Sequence, residues 1–461
     1  MSEYKNNRNP ILPIDIHIPD GEAHVMPDGK LYIYGSYDDM GDEYCSEKYR
    51  VVSTEDMEHW KIYDTSFEGT SVPWFYDPSA PKYQGIDWTK PTPFLKTLRP
   101  DTPIILEEQK EWNASHPKPE KNQNKERQPA FLYAPDAIHK DGKYYLYFCM
   151  SDNSEGVAVS DKPEGPFENP VQLPCGGIDP AVFVDTDGQA YYYWGQLFAN
   201  GVKLNRDMVS FDESTKVPNL VTEEEHGFHE GASMRKIGDT YYLVYSDMER
   251  GRPTALGYAT SKSPLGPFTY GGIIVDNAGC DPVTWNNHGS IEEFNGEWYV
   301  FYHRCSRCTR THRRLCIEPI HINADGSIDE VKMTSQGAGK PFVTGEKIYG
   351  YQACELSGTV YIDVDGQGSE WLTNISPKDE IVFRYVETQK GFSTITLDAE
   401  GNGCIDCYLD ENFVGSVNVV DGNLGKGELS DRIKENTNAR ELRLVIREAK
   451  CLRIQSIVLK E

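Results

Sequence analysis

The 461-residue sequence shows little helical periodicity, and no apolar run reaches the roughly 18 residues that a membrane-spanning helix needs. It is also poor in basic residues, since 46 Lys and Arg stand against 72 Asp and Glu, for a formal net charge of −26. No Lys/Arg block is long enough to follow a phosphate backbone. Nucleic acid and anionic membranes are therefore poor partners, and a neutral or cationic substrate is favoured.

The chain as given lacks two marks of an exported protein. No apolar segment of a signal peptide follows the charges near its start, and its 11 cysteines are odd in number and irregularly spaced. We therefore expect reduced thiols and a cytoplasmic location. The Cys-x-x-Cys pairs at Cys305 and Cys404 fall in different predicted domains, so a structural zinc site is not favoured.

The chain does contain a repeated unit: a polar turn followed by a burst of aromatic strand formers. The five turns begin at Asp28, Asp141, Asp187, Gly238 and Asn295. One acidic or imidazole side chain precedes each turn by 8, 5, 8, 8 and 7 residues; these are Asp20, Asp136, Asp179, Glu230 and His288. Such a repeat predicts a five-bladed β-propeller, whose radial blades bring equivalent positions together at the axis.

A second repeated pattern supports the propeller. VAVSDKPEGPF (157–167) and GYATSKSPLGPF (257–268) share the pattern A-x-S-x-x-P-x-G-P-F. Tyr-rich strands alone would also suit an antiparallel sandwich, because aromatic residues are ordinary strand formers. The similar offsets and the two shared patterns favour the propeller.

The composition changes near residue 340. Residues 336–348 are typical of a linker, and the short alternating strands after them predict a β-sandwich. The expected domains are a propeller over 1–335 and a sandwich over 346–461. Between the first two blades, residues 61–128 form a long excursion, whose aromatic first half is expected at the rim of a pocket.

The polar residues of the repeat suit the cleavage of glycosidic bonds. That reaction uses one carboxylic acid to protonate the leaving oxygen and one carboxylate to activate water. A third carboxylate can raise the pKa of the acid by like-charge repulsion. Asp20, Asp136 and Glu230 could supply this set.

Five segments together resemble glycoside hydrolase family 43. They are IPDGEAHVMPDGKLYIYGSYD (18–38), YAPDAIHKDGKYYLYF (133–148), IDPAVFVDTDGQAYYYWG (178–195), HEGASMRKIGDTYYLVYS (229–246) and NHGSI (287–291). The resemblance implies that Asp20 is the general base, that Asp136 tunes and orients the acid, and that Glu230 is the general acid. One departure is that Asp20 precedes Gly21 where the family usually has proline, which leaves Glu22 as an alternative base.

The same resemblance implies further site residues. His288 matches a position near an axial calcium ion, although calcium prefers oxygen donors and the histidine would then hold a coordinated water. Arg313 is expected to contact sugar hydroxyls, and Trp74, Phe75 and Trp194 to stack on a sugar ring. Asp179 is expected to bind substrate or only to shape the start of its blade.

The implied function is an inverting, exo-acting hydrolase that releases α-L-arabinofuranosyl residues from arabinoxylan-derived oligosaccharides. The alternatives are a β-D-xylosidase, a dual enzyme, and a non-catalytic carbohydrate-binding propeller. The C-terminal part, through ACELSGTVYI (353–362), resembles a family 6 carbohydrate-binding module. It would bind polysaccharide, complete the pocket, or only pack against the propeller.

Overall fold

The computed structural model describes residues 1–39, 44–86, 128–280, 287–306, 309–420, 425–433 and 436–461. These residues form an almost entirely β protein with one short helix, α1 (Glu223–His226). Within the described ranges, no helix is both long and apolar enough to cross a membrane.

Five antiparallel sheets form the blades of a propeller. Blade 1 contains β1 (Ser2–Lys5), β2 (Glu22–Val25), β3 (Leu31–Tyr34), β4 (Lys48–Thr54) and β5 (His59–Glu68). Blade 2 contains β6 (Asp136–Lys140), β7 (Lys143–Cys149), β8 (Ser154–Ser160) and β9 (Glu168–Gly176). Blade 3 contains β10 (Ala181–Val184), β11 (Ala190–Trp194), β12 (Phe198–Leu204) and β13 (Phe211–Thr222). Blade 4 contains β14 (Phe228–Ile237), β15 (Thr240–Asp247), β16 (Ala255–Ser261) and β17 (Thr269–Val275). Blade 5 contains β18 (Ser290–Phe294), β19 (Glu297–Ser306) and β20 (Thr309–Ile320).

The repeated polar turn connects the first two strands of the repeat in every blade, as the sequence predicted. A glycine in the left-handed region sits in each turn, with φ between 58° and 84°, at Gly29, Gly142, Gly188, Gly238 and Gly296. Glycine suits this conformation because it has no Cβ to clash with the backbone. The prediction of a five-bladed propeller is confirmed.

The two GPF patterns occupy equivalent places in blades 2 and 4. The hydroxyl of Tyr34 donates to the carbonyl of Pro163 at 2.7 Å, and that of Tyr193 donates to the carbonyl of Pro264 at 2.9 Å. Phe167 and Phe268 are buried in the hydrophobic clusters that each blade shares with the preceding one. Each pattern therefore joins neighbouring blades.

The start of the chain closes the ring against blade 5. The amide of Ile11 donates to the carbonyl of Leu315 at 3.0 Å. The Asn9 side chain accepts from the amide of Ile317 at 2.9 Å and donates to the Glu318 carboxylate at 2.8 Å. These contacts complete the outer edge of the three-stranded fifth blade.

The C-terminal part forms a β-sandwich. Its strands are β21 (Phe342–Val343), β22 (Lys347–Tyr349), β23 (Glu355–Ser357), β24 (Tyr361–Val364), β25 (Glu370–Thr373), β26 (Glu380–Thr388), β27 (Phe392–Leu409), β28 (Asn412–Val419), β29 (Gly425–Ile433) and β30 (Asn436–Lys460). The long pair β27 and β30 contains several register shifts, which bend the sheet. A separate apolar core that includes Phe383, Ile405 and Leu444 fills the sandwich.

The expected linker at 336–348 belongs in part to the sandwich. β21 pairs with β26, and Phe342 is buried in the sandwich core. The domain limits at 335 and 346 stay a prediction. Of the excursion at 61–128, residues 87–127 lie outside the described residues.

Candidate active site

A pocket of about 670 Å³ opens where the inner strands of the blades begin. Each of the five blades contributes at least one residue to its wall: Asp20, Tyr133, Asp179, Glu230 and His288 lie there together. Three of these five are acidic. We call Asp20, Asp179 and Glu230 the pocket carboxylates.

The offset from the polar turn separates the pocket residues from Asp136. Asp20, Asp179 and Glu230 each lie 8 residues before their turn, and in blade 2 that position belongs to Tyr133. Asp136 is instead the first residue of β6, where it pairs with Tyr147. It therefore corresponds to Glu22, the first residue of β2, and it does not line the pocket.

Asp20 and Asp179 share an unusual backbone conformation. Each precedes the inner strand of its blade by two residues, with φ of 58° and 55°. A non-glycine residue in this left-handed region is uncommon, and such residues concentrate at functional sites. The matching bends lie at the base of the pocket.

Asp20 is buried and surrounded by hydrogen-bond donors. Arg313 Nη1 donates to both of its carboxylate oxygens, at 2.9 and 3.1 Å, and the Ser36 hydroxyl donates at 2.6 Å. The Asp20 amide donates to His303 Nδ1 at 3.2 Å. Burial raises the Asp20 pKa, but Arg313, His288, His303 and Ser36 outweigh it and lower the pKa to about 2. Asp20 is therefore ionised at every ordinary pH.

Arg313 bridges two buried aspartates. Besides Asp20, it binds Asp38 through Nε and Nη2, each at 2.9 Å, and its own amide donates to Asp38 at 3.1 Å. It lines the pocket, where the sequence analysis expected a substrate-binding arginine, and its contacts with Asp38 hold the guanidinium that binds Asp20. Asp38 was not predicted as a site residue, although it ends the first quoted motif.

Asp179 and Glu230 form the other acidic side of the pocket. The Gln196 amide donates to Glu230 Oε2 at 2.6 Å. Burial, followed by the nearby charges of Glu230 and Asp20, raises the Asp179 pKa well above its ordinary value. Protonation is therefore favoured at Asp179 relative to Asp20, because neighbouring buried carboxylates resist joint ionisation.

His288 lies between the two sides. Its Nδ1 is 3.7 Å from an Asp20 oxygen and 3.8 Å from an Asp179 oxygen. The ring packs so closely on Gly231 that a Cβ there would lie 2.7 Å from a ring carbon, and Gly231 also has a φ of 73°. Glycine after Glu230 therefore makes room for the histidine.

The surroundings of His288 suit a calcium ion only in part. Calcium takes six to eight oxygen ligands. Two carboxylates, those of Asp20 and Asp179, lie near the imidazole, and Arg313 already balances the first. The described side chains thus do not assemble a direct calcium shell at His288, and calcium there stays a prediction.

A second polar group is buried among the inner strands. Its members, which we call the buried cluster, are Glu22, His24, Asp136 and Arg235. His24 Nε2 lies 2.7 Å from Asp136 Oδ1, and Arg235 Nη2 donates to Glu22 Oε1 at 2.8 Å. Asp136 also accepts from the amide of Val182 at 2.7 Å, so the network links several blades.

The ligand atoms of the buried cluster lie close enough together to hold a metal ion, but an arginine already pairs with one of its carboxylates. Glu22, His24 and Asp136 place ligand atoms within 4.8 Å of one another. The Arg235 guanidinium already supplies the positive charge, since it binds both Glu22 and Glu292. Burial raises the pKa of Glu22 and of Asp136 to about 7 and lowers that of His24 to about 4.

A third polar group lies beside Glu230. Arg252 and His229 line the pocket, and Arg252 Nη2 lies 3.1 Å from His229 Nε2. Because arginine only donates, Nε2 accepts, and Nδ1 of the same ring donates to Glu223 at 2.8 Å. The sequence analysis did not single out these residues, although His229 adjoins the predicted acid.

The aromatic candidates are wrong as sugar platforms. Trp74 is buried, stacks on Phe148 at 6.0 Å between ring centroids, and donates to Ser154. Phe75 belongs to the same hydrophobic cluster. Trp194 is buried between Tyr192 and Phe211, at 5.6 Å from each. None of the three lines the pocket; they fill the spaces within and between blades.

Comparison with known proteins gives a consistent picture. Residues 108–328 match the model of glycosyl hydrolases family 43. A xylosidase/arabinosidase from Thermoclostridium stercorarium is 32% identical over 428 residues, covering 81% of this chain and 77% of that protein. Xylosidase/arabinosidase 43A from Humicola insolens is also 32% identical, covering 69% of this chain and 97% of its own length.

Solved structures agree with the sequence matches. A β-xylosidase/α-arabinofuranosidase from a compost microbial metagenome, in a calcium-free complex with xylotriose, is 28% identical with a TM-score of 0.53; the match covers 72% of this chain and 99% of that one. An arabinoxylan arabinofuranohydrolase from Bacillus subtilis, 21% identical with a TM-score of 0.52, shares the fold over 99% of this chain and 98% of its own. The chain therefore belongs to glycosyl hydrolases family 43 and is a glycosidase.

Proposed function

We propose that this glycosidase releases terminal α-L-arabinofuranosyl residues from arabinoxylan-derived oligosaccharides, with inversion, and that the same pocket also accepts terminal β-D-xylosyl residues. The observation that carries the proposal is the electrostatic contrast among the pocket carboxylates. Asp20 is paired with an arginine, whereas Asp179 lies beside Glu230 and has a raised pKa. One pocket thus combines a carboxylate whose pKa is lowered with one whose pKa is raised.

Asp20 is the proposed general base. Arg313 and Ser36 keep its carboxylate ionised and oriented, as activation of a water molecule requires. Glu22 is a poor alternative, because its carboxylate is bound by Arg235 and Ser233 within the buried cluster. An inverting reaction needs the base and the acid about 6.5–9.5 Å apart, with water between the base and the sugar.

Glu230 is the proposed general acid, and Asp179 its companion. Gln196 donates to Oε2 of Glu230, which favours the other oxygen as the carrier of the proton. The role of third carboxylate that the family resemblance suggested for Asp136 suits Asp179 better, because Asp179 lines the pocket and Asp136 does not. Asp179 would stand beside Glu230 as the third carboxylate while Glu230 protonates the leaving oxygen.

The proposal that one pocket accepts both sugars rests on the relatives. Two proteins that match over most of their own length are described as xylosidase/arabinosidase, which supports a pocket that accepts both sugars. The preference for arabinofuranosyl residues is the prediction from the sequence. A mainly β-D-xylosidase activity is the alternative, supported by the same two descriptions.

A calcium ion near His288 would supply positive charge close to the pocket carboxylates. Calcium there would stabilise the folded protein by an amount that grows with the logarithm of the calcium concentration above its Kd. Thermal unfolding in EGTA and in added calcium checks this: a midpoint that rises with calcium supports the site, and coincident curves contradict it.

The first test is hydrolysis of p-nitrophenyl α-L-arabinofuranoside and p-nitrophenyl β-D-xylopyranoside side by side. Faster release of arabinose that disappears in Asp20→Asn supports the proposal, and faster release of xylose supports the alternative. Proton NMR of the first-formed sugar tests inversion. A folded protein that hydrolyses neither compound, nor arabinoxylan oligosaccharides, would favour a binding role.

A further inference from the structure

The paired strands β19 and β20 contact the proposed base on one side and the sandwich on the other. Neighbouring side chains on a strand point to opposite faces. On β20, Arg313 binds Asp20, and the next residue, Arg314, binds Glu370 of the sandwich. On β19, His303 accepts from the Asp20 amide, and the next residue, Arg304, donates to the carbonyls of Ala353 and Tyr351.

The two strands hold these residues in a common register. Cys305 lies opposite Arg313, Arg304 opposite Arg314, and His303 opposite Leu315. The two arginines that face the sandwich are therefore cross-strand neighbours. His303 and Arg313, which contact Asp20, directly precede these two arginines in the sequence.

The contact between Arg314 and Glu370 is buried. Arg314 Nη1 donates to both carboxylate oxygens at 2.7 Å, and the two side chains are only 3% and 2% exposed. Arg314 Nη2 also donates to the carbonyl of Leu12 at 2.7 Å. Removing one partner from a buried ion pair leaves an uncompensated charge, so Arg314 would have to move towards water if Glu370 were neutral.

The aromatic residues of the sandwich offer little support for sugar binding in its described part. Sugars bind aromatic side chains through the ring face, and several of these faces already carry a cation. Lys347 lies over Tyr349 at 5.6 Å, Arg443 over Tyr408 at 5.0 Å, and Arg453 over Trp371 at 4.3 Å. The most deeply buried ion pair of the sandwich is instead directed at β20.

We propose that the sandwich positions the catalytic base: Glu370 fixes Arg314, and the rigid strand β20 thereby holds Arg313 against Asp20. Glu370 is on this view a positioning residue that acts through two arginines. The inference rests on the proposed role of Asp20 as the base. It assigns the sandwich a part in the reaction that does not require it to bind carbohydrate.

The test compares Glu370→Gln with Glu346→Gln. Glu346 also joins the sandwich to the propeller, through Arg8 at 3.1 Å, but this pair is more exposed and includes no residue of β19 or β20. Because small misplacements of a catalytic group can cost up to about 100-fold, Glu370→Gln is expected to lower kcat by about 10-fold or more with KM within about twofold. Glu346→Gln should keep the wild-type kcat.

Two readouts separate positioning from general damage. A displaced base slows substrates with good and poor leaving groups equally, because both need activated water. Glu370→Asp keeps the charge and should recover part of kcat. If Glu370→Gln fails to unfold cooperatively, Arg314→Lys replaces it, since lysine retains the charge but lacks the second nitrogen that donates to the carbonyl of Leu12.

Either of two results would overturn the inference. One is a wild-type kcat in the folded Glu370→Gln or Arg314→Lys protein, and the other is a loss confined to poor leaving groups or to KM. Asp20→Asn, measured in parallel, identifies which idea fails. An inactive Asp20→Asn with a fully active Glu370→Gln removes the positioning role alone, whereas an active Asp20→Asn removes the base assignment.

Discussion

Two sets of carboxylates lie on or just before the inner strands of the propeller, and they differ in the groups that surround them. The buried cluster encloses Arg235 and satisfies its carboxylates with protein donors. The pocket carboxylates line an opening of about 670 Å³, where Arg313 pairs with Asp20. Similar residues therefore serve stability in one set and are available to a substrate in the other.

The largest expected effect on the hydrolysis rate distinguishes Asp20, a pocket carboxylate, from Glu22 of the buried cluster. Asp20→Asn should lower hydrolysis by about 1,000-fold or more, because the amide cannot accept a proton from water. Glu22→Gln should keep most of the rate, since a Gln oxygen can still accept from Arg235. The rates with both p-nitrophenyl glycosides check this, and the reverse result would move the base into the buried cluster.

The next effect depends on the leaving group. Glu230→Gln should slow natural oligosaccharides by about 100-fold or more but affect p-nitrophenyl substrates far less, because a good leaving group needs little protonation. Measuring kcat for xylo-oligosaccharides and for aryl glycosides of graded leaving-group pKa checks it. Equal losses across that series would exclude Glu230 as the acid.

Asp179 and Asp136 provide the sharpest comparison between the sets. Asp179→Asn should reduce kcat by about 100-fold. Asp136→Asn should change kcat by less than about threefold and lower the unfolding midpoint, because it disturbs the contacts with His24 and Val182. Kinetics and calorimetry of both proteins check this. A large loss of kcat in a stable Asp136→Asn protein would restore the role first expected of that residue.

The smallest effect concerns Glu155, a buried carboxyl whose Oε2 accepts from Tyr192. Burial raises its pKa to about 8. The unfolded chain loses this proton near pH 4.3, so wild-type stability declines as pH rises from there through about 8. The glutamine of Glu155→Gln does not titrate. The free energy of unfolding of the variant minus that of the wild type should therefore rise by on the order of 2–4 kcal/mol from pH 5 to pH 8. Urea unfolding at both values checks it; a constant difference would contradict it.

Much of the fold could be predicted because it depends on local patterns. The turn glycines, the aromatic strands and the two GPF patterns lie within short segments, and each was found where expected. The pocket carboxylates were also visible in the sequence, since three polar residues share an offset of 8. The offset of 5 distinguishes Asp136 from these three, although both the need for a third carboxylate and the family resemblance favoured it as catalytic.

The remaining site residues depend on contacts between distant parts of the chain. Asp38 meets Arg313 across 275 positions, and Glu22 meets Arg235 across 213. No local pattern indicates such pairs. Trp194 was misassigned because a strand residue can face either a neighbouring blade or the pocket, and its sequence environment is the same in both cases. Trp74 lies in the loop after β5, and the sequence does not show that this loop folds back onto Phe148 of blade 2.

The closure of the ring by Asn9 has a consequence for biosynthesis. Its contacts with Ile317 and Glu318 span 308 and 309 positions, so the ribosome must make blade 5 before the ring can close. At about 5–20 residues per second, the first segment waits roughly 15–60 s for its partner. During that interval blade 1 exposes the apolar side that blade 5 will cover, including Ile33 and Ile11. A nascent chain of this propeller therefore depends on protection from aggregation until its fifth blade has left the ribosome.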